Sequence, residues 1–172
     1  MSVQTGVEID HSSARISGVL AVMSGLIAVV AVSLASTVFT LLVGFLGVVA
    51  VATGVFVVQS RTGVVVGSAM LFVAVLVGGL TGAQTPMLLA GTIGAVLSMD
   101  LGQNAVSLGR QMTTDAYTRR GEFVHATGSV AVGVLVAALA YGVYVISSGG
   151  QPVSALVLLV FAAVLLSWSF RT

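Results

Sequence analysis

The feature that most constrains this chain is the near absence of charge over two long stretches. From Ile16 to Met99 the only ionised side chain is Arg61, and from Phe123 to Phe170 only His125 can carry a charge. A charged side chain at the centre of a bilayer costs at least ~2.5–3.5 kcal/mol on insertion scales. Long stretches without charge are therefore typical of a chain that crosses a membrane repeatedly.

The composition points to the same class of protein. Hydrophobic residues make up 58% of the 172 residues and charged residues only 6%, against roughly 25% charged residues in a soluble domain. Because so few charges cannot cover a water-facing surface, the sequence predicts an all-α, polytopic bundle of membrane helices with lipid as its surrounding solvent. The net charge of +1 argues against a nucleic-acid partner. With no cysteine and few histidines or acids, we expect no metal site and no cofactor.

Six segments are long and apolar enough to cross the bilayer, because a helix needs about 20 apolar residues to span ~30 Å of hydrocarbon. Turn residues separate these segments, and a proline suited to a first helical turn opens two of them. We also expect a short cytoplasmic tail over residues 1–15 and an inner loop over 109–122. The predicted spans cover residues 16–35, 37–58, 63–80, 86–108, 123–146 and 153–170.

The distribution of arginine predicts the orientation of these spans. Cytoplasmic segments of membrane proteins carry an excess of positive charge. Six crossings with the amino terminus inside place every basic residue of the chain on the cytoplasmic side, so both termini are predicted to be cytoplasmic in a multi-pass protein of the plasma membrane. The predicted inner-face anchors are Arg15, Arg61, Arg110, Arg119, Arg120 and Arg171.

Glycine spacing around the third span predicts close helix packing. Gly63 and Gly67 form one GxxxG pattern, and Gly78 and Gly82 form another. Small residues let helix backbones approach closely in lipid, where no hydrophobic effect drives helices together. The pattern fits contact with another helix of the same chain, and it also fits self-association into an oligomer.

The inner half of the fourth span is amphipathic, because its polar residues recur on one helix face at 100° per residue. Distances along the helices place Asp100 near the level of His125 in the fifth span, and Glu122 lies one turn before that histidine. This predicts a polar cluster near the inner face of the membrane. Its members are Asp100, Gln103, Asn104, Ser107, Glu122 and His125.

Three interpretations of this polar cluster compete. In the first, its side chains join neighbouring helices by hydrogen bonds, since an unpaired buried charge is costly. In the second, Asp100 and His125 are the titrating groups of a proton- or ion-responsive site. In the third, residues 100–122 form an interfacial helix and turn that contact lipid headgroups and water.

Two stretches of sequence, Asp100–Arg110 (DLGQNAVSLGR) and Arg119–Ala126 (RRGEFVHA), carry a family resemblance. They resemble a family of small, uncharacterised, multi-pass membrane proteins from haloarchaea, a domain of unknown function. That family is similar to proteins often encoded beside a MoxR-type AAA ATPase. The resemblance implies a haloarchaeal origin and an accessory role in a membrane-associated assembly, and it implies no catalytic residue.

The sequence contains no HExxH, GxSxG, Walker A or dinucleotide-binding motif, so we expect no enzyme and no catalytic residue. The first functional hypothesis is a membrane subunit or scaffold that engages a cytoplasmic protein through the inner loop. By resemblance alone, that partner belongs to an AAA ATPase system. The second hypothesis is a small-solute or proton-coupled transporter that uses Asp100 and His125.

Overall fold

The computed structural model describes residues 15–33, 37–111 and 118–146, and within these ranges the protein is built from α-helices without a strand. Each of the five helices is long and apolar enough to cross a membrane. The predicted span over residues 153–170 lies outside the described residues, as do Arg171 and the tail before Arg15. The helices are α1 (Arg15–Ser33), α2 (Val38–Phe56), α3 (Arg61–Leu80), α4 (Thr85–Gln111) and α5 (Thr118–Ile146).

Hydroxylated residues cap the starts of α2 and α3, and the predicted proline lies in the first turn of α4. The Thr37 side chain accepts a hydrogen bond from the backbone N–H of Thr40, and Ser60 does the same for Gly63. Each contact satisfies an N–H that has no partner within its own helix. Pro86 is the second residue of α4, where its missing N–H costs nothing.

Successive helices run in opposite directions. The beginning of α1 packs against the end of α2, where Gly18 lies against Val55. The beginning of α3 packs in turn against the end of α4, where Val64 lies against Gly102. The starts of α1, α3 and α5 and the ends of α2 and α4 therefore lie at one end of the bundle, which we call the basic end. It holds five of the six arginines, Arg15, Arg61, Arg110, Arg119 and Arg120.

Helices α2 and α3 touch backbone to backbone through glycine. A Cβ on Gly67 would lie 2.6 Å from the backbone nitrogen of Val51 and 2.8 Å from the carbonyl oxygen of Gly47. One turn nearer the basic end, Gly63 meets Gly54, where a Cβ would lie 3.0 Å from the opposite Cα. No side chain fits at these positions, so the predicted packing role of Gly63 and Gly67 is a contact within the chain.

Helix α1 packs against α4 with similar closeness. A Cβ on Gly94 would lie 2.6 Å from the carbonyl oxygen of Ser24 and 2.9 Å from the backbone nitrogen of Ala28. Around these close approaches the core is filled by small and β-branched side chains, with Leu71 and Leu101 the largest that are fully buried. Thin side chains and close backbones are what dispersion-driven packing in lipid favours.

The second predicted glycine pair divides into two roles. Gly78 packs as expected, since a Cβ there would lie 3.1 Å from Cβ of Val32 in α1. Gly82, predicted as a packing residue, has a backbone φ of 98° and no described residue within 4 Å of its Cβ position. Its N–H donates to the carbonyl of Gly79, while the N–H of Ala83 donates to that of Gly78. These bonds form a Schellman motif, so Gly82 ends α3, and its predicted packing role stays a prediction.

Helices α4 and α5 extend into the predicted inner loop. Helix α4 continues to Gln111 and α5 begins at Thr118, so residues 109–111 and 118–122 are helical rather than part of a loop over 109–122. At 27 and 29 residues these helices are about 40 Å long, which exceeds ~30 Å of hydrocarbon. Because their helical hydrogen bonds continue past the apolar stretch, hydropathy alone predicts these helices to be shorter than they are.

Helix α5 lies at the edge of the described bundle. It contacts α4 and, at its first turns, α1. Its inward face is narrow and carries small residues: Ala126 is buried, Ser129 is half-buried, and Gly133 lies against Ile93 of α4. Its large apolar side chains, from Phe123 to Ile146, are exposed, which suits a helix that faces lipid or another apolar surface.

Candidate functional site

The first contact at the basic end joins the start of α5 to the start of α1. Glu122 is only 3% exposed, and its Oε2 accepts hydrogen bonds from both the backbone N–H of Ser17 (2.9 Å) and the Ser17 hydroxyl (3.0 Å). Ser17 lies in the first turn of α1, where backbone N–H groups lack helical partners and the helix dipole is positive. A carboxylate from a distant part of the chain thus caps α1.

Asn104 extends this contact to α4. Its Nδ2 lies 3.5 Å from the Ser17 hydroxyl, which accepts this bond while donating its own hydrogen to Glu122. Ser17 is fully buried. One hydroxyl therefore connects α1, α4 and α5, because it donates one hydrogen bond and accepts another.

The second contact joins α4 to α5 through Asp100. Its Oδ2 lies 3.1 Å from Nε2 of His125 and accepts a hydrogen bond from the hydroxyl of Ser129. The side chains of Asp100 and His125 are 42% and 43% exposed. The serine bonds to the carboxylate and not to the imidazole, so the histidine is not placed to take the proton of the Ser129 hydroxyl as a nucleophilic triad requires.

The third contact joins α3 to α4. Nη2 of Arg61, the first residue of α3, donates to the hydroxyl of Ser107 at 3.0 Å. Gln103 is half-buried on the same helix. Arg110, Arg119 and Arg120 lie in helices at the basic end, and their side chains lie outside the described part of the molecule.

Members of the predicted polar cluster take part in three contacts between helices. Asn104 and Glu122 meet α1, Asp100 meets His125 on α5, and Ser107 meets α3. Within the described ranges, no group of three or more His, Asp or Glu side chains is placed to hold a metal ion. Each of the three contacts bonds one helix to another.

Sequence reasoning missed two participants, Ser17 and Ser129. Each had a signal that could have found it. Ser17 is a hydroxyl in the first turn of an apolar helix, where an acceptor for free N–H groups is expected. Ser129 lies four residues after His125 and so shares its helix face. Neither signal says which helix lies alongside, and that neighbour decides the contact.

The apolar helices and their inter-helix contacts give the setting for comparison with known proteins. No curated protein and no solved structure matches the chain. A model of a family of unknown function, DUF7519, matches residues 11–167. This match covers all five described helices and most of the predicted sixth span, and the chain accordingly belongs to the DUF7519 family of unknown function.

Proposed function

We propose that this protein is a non-enzymatic, multi-pass membrane subunit that acts as a scaffold. The observation that supports this best is the use of its polar groups. Ser17, Asn104 and Glu122 are bonded to one another across three helices. The close glycine contacts of α2 with α3 and of α1 with α4 add rigidity. A framework that holds a fixed shape is suited to presenting a surface to a partner.

In the proposed topology the chain crosses the plasma membrane six times, and both termini lie in the cytoplasm. It rests on the alternation of the five helices and on the gathering of arginine at the basic end. Because the chain has no cysteine, single cysteines can report each turn. A cysteine in place of Ser148 should react with an impermeant maleimide in intact cells, and one in place of Ser60 should react only after lysis.

The proposed docking surface is the cytoplasmic segment over residues 109–122. The helical ends of α4 and α5 carry Arg110, Arg119 and Arg120 there, and together they offer a basic surface beyond the apolar core. The resemblance in sequence suggests a haloarchaeal source and a partner from an AAA ATPase system, and both belong to this proposal.

Co-purification from native membranes tests the docking surface. We expect a tagged protein to retain a cytoplasmic partner and to lose it when Arg119 and Arg120 are both replaced by alanine. Arg15→Ala is the matched control, because it removes a charge at the same end of the bundle without touching the segment. Retention of every partner by the Arg119/Arg120 variant would count against docking at this surface.

A second candidate function is a proton-coupled or small-solute transporter. The observation that favours it is the half-exposed pair of Asp100 and His125, whose Oδ2 and Nε2 atoms lie 3.1 Å apart. Ionisable groups within a membrane often mark ion paths. Purified protein in vesicles should then carry a flux that Asp100→Asn abolishes and that Gln103→Ala, on the same helix, leaves intact. Absence of any proton or solute flux would remove this candidate.

A further inference from the structure

Two buried serine hydroxyls in the apolar core have no hydrogen-bond partner among the described residues. Ser68 of α3 is 3% exposed and Ser98 of α4 is fully buried, and neither Oγ makes a hydrogen bond to a described residue. Both lie outside the three contacts at the basic end. A buried hydroxyl without a partner is costly, and in native proteins such groups usually bond to an ordered water or ion.

The register of α3 against α4 places the two serines opposite each other. Val64 lies against Gly102, and Val75 lies against Gly91. Counting four residues forward from Val64 and four back from Gly102 reaches Ser68 and Ser98. Counting seven residues back from Val75 and seven forward from Gly91 reaches the same pair. Steps of four and seven residues keep to one helix face, so Ser68 and Ser98 lie at about one level on the sides of α3 and α4 that pack together.

Three threonine hydroxyls in this protein make an intrahelical hydrogen bond that the two serines lack. Thr53, Thr81 and Thr92 each donate to a carbonyl three or four residues earlier in their own helix. That intrahelical bond is the usual way to satisfy a hydroxyl in a membrane helix. Ser68 and Ser98 instead remain without such a bond.

We propose that Ser68 and Ser98 form a binding site for one water molecule that bridges α3 and α4. A water needs two to four polar partners, and the two hydroxyls supply the first two. The surroundings are apolar: a Cβ on Gly25 of α1 would lie 3.3 Å from Oγ of Ser98 and 3.1 Å from Cδ1 of Leu71. No charged side chain belongs to this site, since Asp100 bonds to α5 instead. A neutral ligand as small as water therefore fits the chemistry better than a cation.

A double-mutant cycle tests this site by SDS titration of the purified protein in detergent micelles. With a bridging water, Ser68→Ala and Ser98→Ala should each lower the equilibrium ratio of folded to unfolded protein about five- to tenfold. Each substitution leaves the water and the other hydroxyl without one hydrogen bond. The double variant should be little worse than either single variant. Additive effects, or single variants more stable than the parent, would overturn the proposal.

Ser98→Asn separates a bridging water from a direct bond between the hydroxyls. The longer amide can occupy the position of the water and bond to Ser68, so the variant should keep stability within about twofold of the parent. If the hydroxyls touch directly, the amide overpacks the interface and stability falls at least tenfold. That fall would overturn the water site. Thr92→Val supplies the control, since it removes an intrahelical bond on the same helix.

Discussion

Helices α2 and α3 are joined by the shape of their backbones, whereas α5 is joined to the bundle chiefly by polar side chains at one end. Gly67 lets α3 approach so closely that a single Cβ would meet backbone atoms of α2. Helix α5 has only a narrow face of small residues toward its neighbours, and its best-defined contacts are those of Glu122 and His125. In lipid no hydrophobic effect drives helices together. The two contacts therefore depend on close packing in one case and on hydrogen bonds in the other.

This difference predicts which substitutions should destabilise each of the two contacts. A contact made by shape fails when volume is added and has no chemical substitute. A contact made by hydrogen bonds fails when an acceptor is removed, and a group of similar chemistry can partly restore it. The two regions should therefore respond to different substitutions, and with different magnitudes.

The largest effect is expected for Gly67→Val. The added Cβ alone would lie 2.6 Å from the backbone nitrogen of Val51, so α2 and α3 must separate along their length. We expect a loss of about 3 kcal/mol or failure to fold, at the upper end for overpacking. SDS titration and size-exclusion chromatography measure this change. Gly142→Val in α5, where no described residue lies within 4 Å of the Cβ position, is the matched control and should be almost neutral.

The next largest effect is expected for Glu122→Ala. It removes the acceptor for the N–H and hydroxyl of Ser17 and leaves both groups buried, at a cost of about 2 kcal/mol. Detachment of α5 can be followed by the disulfide yield between cysteines placed at Ile93 and Gly133, which are in contact. Glu122→Gln keeps an acceptor oxygen and should recover much of the yield. Equal loss in both variants would mean that the charge, and not the hydrogen bonds, holds the contact.

A smaller effect, of about 1 kcal/mol, is expected for Gly82→Ala in the turn between α3 and α4. The φ of 98° is strained for any residue with a side chain, although no described residue lies within 4 Å of the Cβ position. Gly79→Ala sits three residues earlier inside the helix, with its Cβ at 3.4 Å from Leu88, and should be neutral or slightly stabilising. Thermal unfolding that ranks the two variants in the reverse order would contradict the Schellman assignment.

The fold could be predicted to this extent because the bilayer imposes a strong rule on sequence. The stretch without charge before Arg61 predicted spans over 16–35 and 37–58, and the helices Arg15–Ser33 and Val38–Phe56 match them within two residues. Hydropathy alone gave poorer bounds where helices continue past their apolar stretch, as α4 and α5 do. Orientation and the sixth span stay predictions.

The contacts at the basic end were harder to predict, for a physical reason. Periodicity shows which residues share a face, and it showed that Asp100 and Asn104 lie on one side of α4. It does not show which helix packs there. Glu122 bonds to Ser17, which lies 105 positions away in sequence, and only the three-dimensional packing of the helices brings them together.

The smallest effect is expected for Asp100→Ala, and it bears most directly on the comparison. Asp100 and His125 are both more than two-fifths exposed, so water and headgroups compete for their hydrogen bonds and the pair should contribute less than about 1 kcal/mol. The disulfide yield between cysteines at Ile93 and Gly133 should fall slightly after Asp100→Ala and stay unchanged after Gln103→Ala. A fall as large as that of Glu122→Ala would show that α5 is held along α4 and not chiefly at its first turn, because a half-exposed pair can match a buried carboxylate only if the membrane shields it.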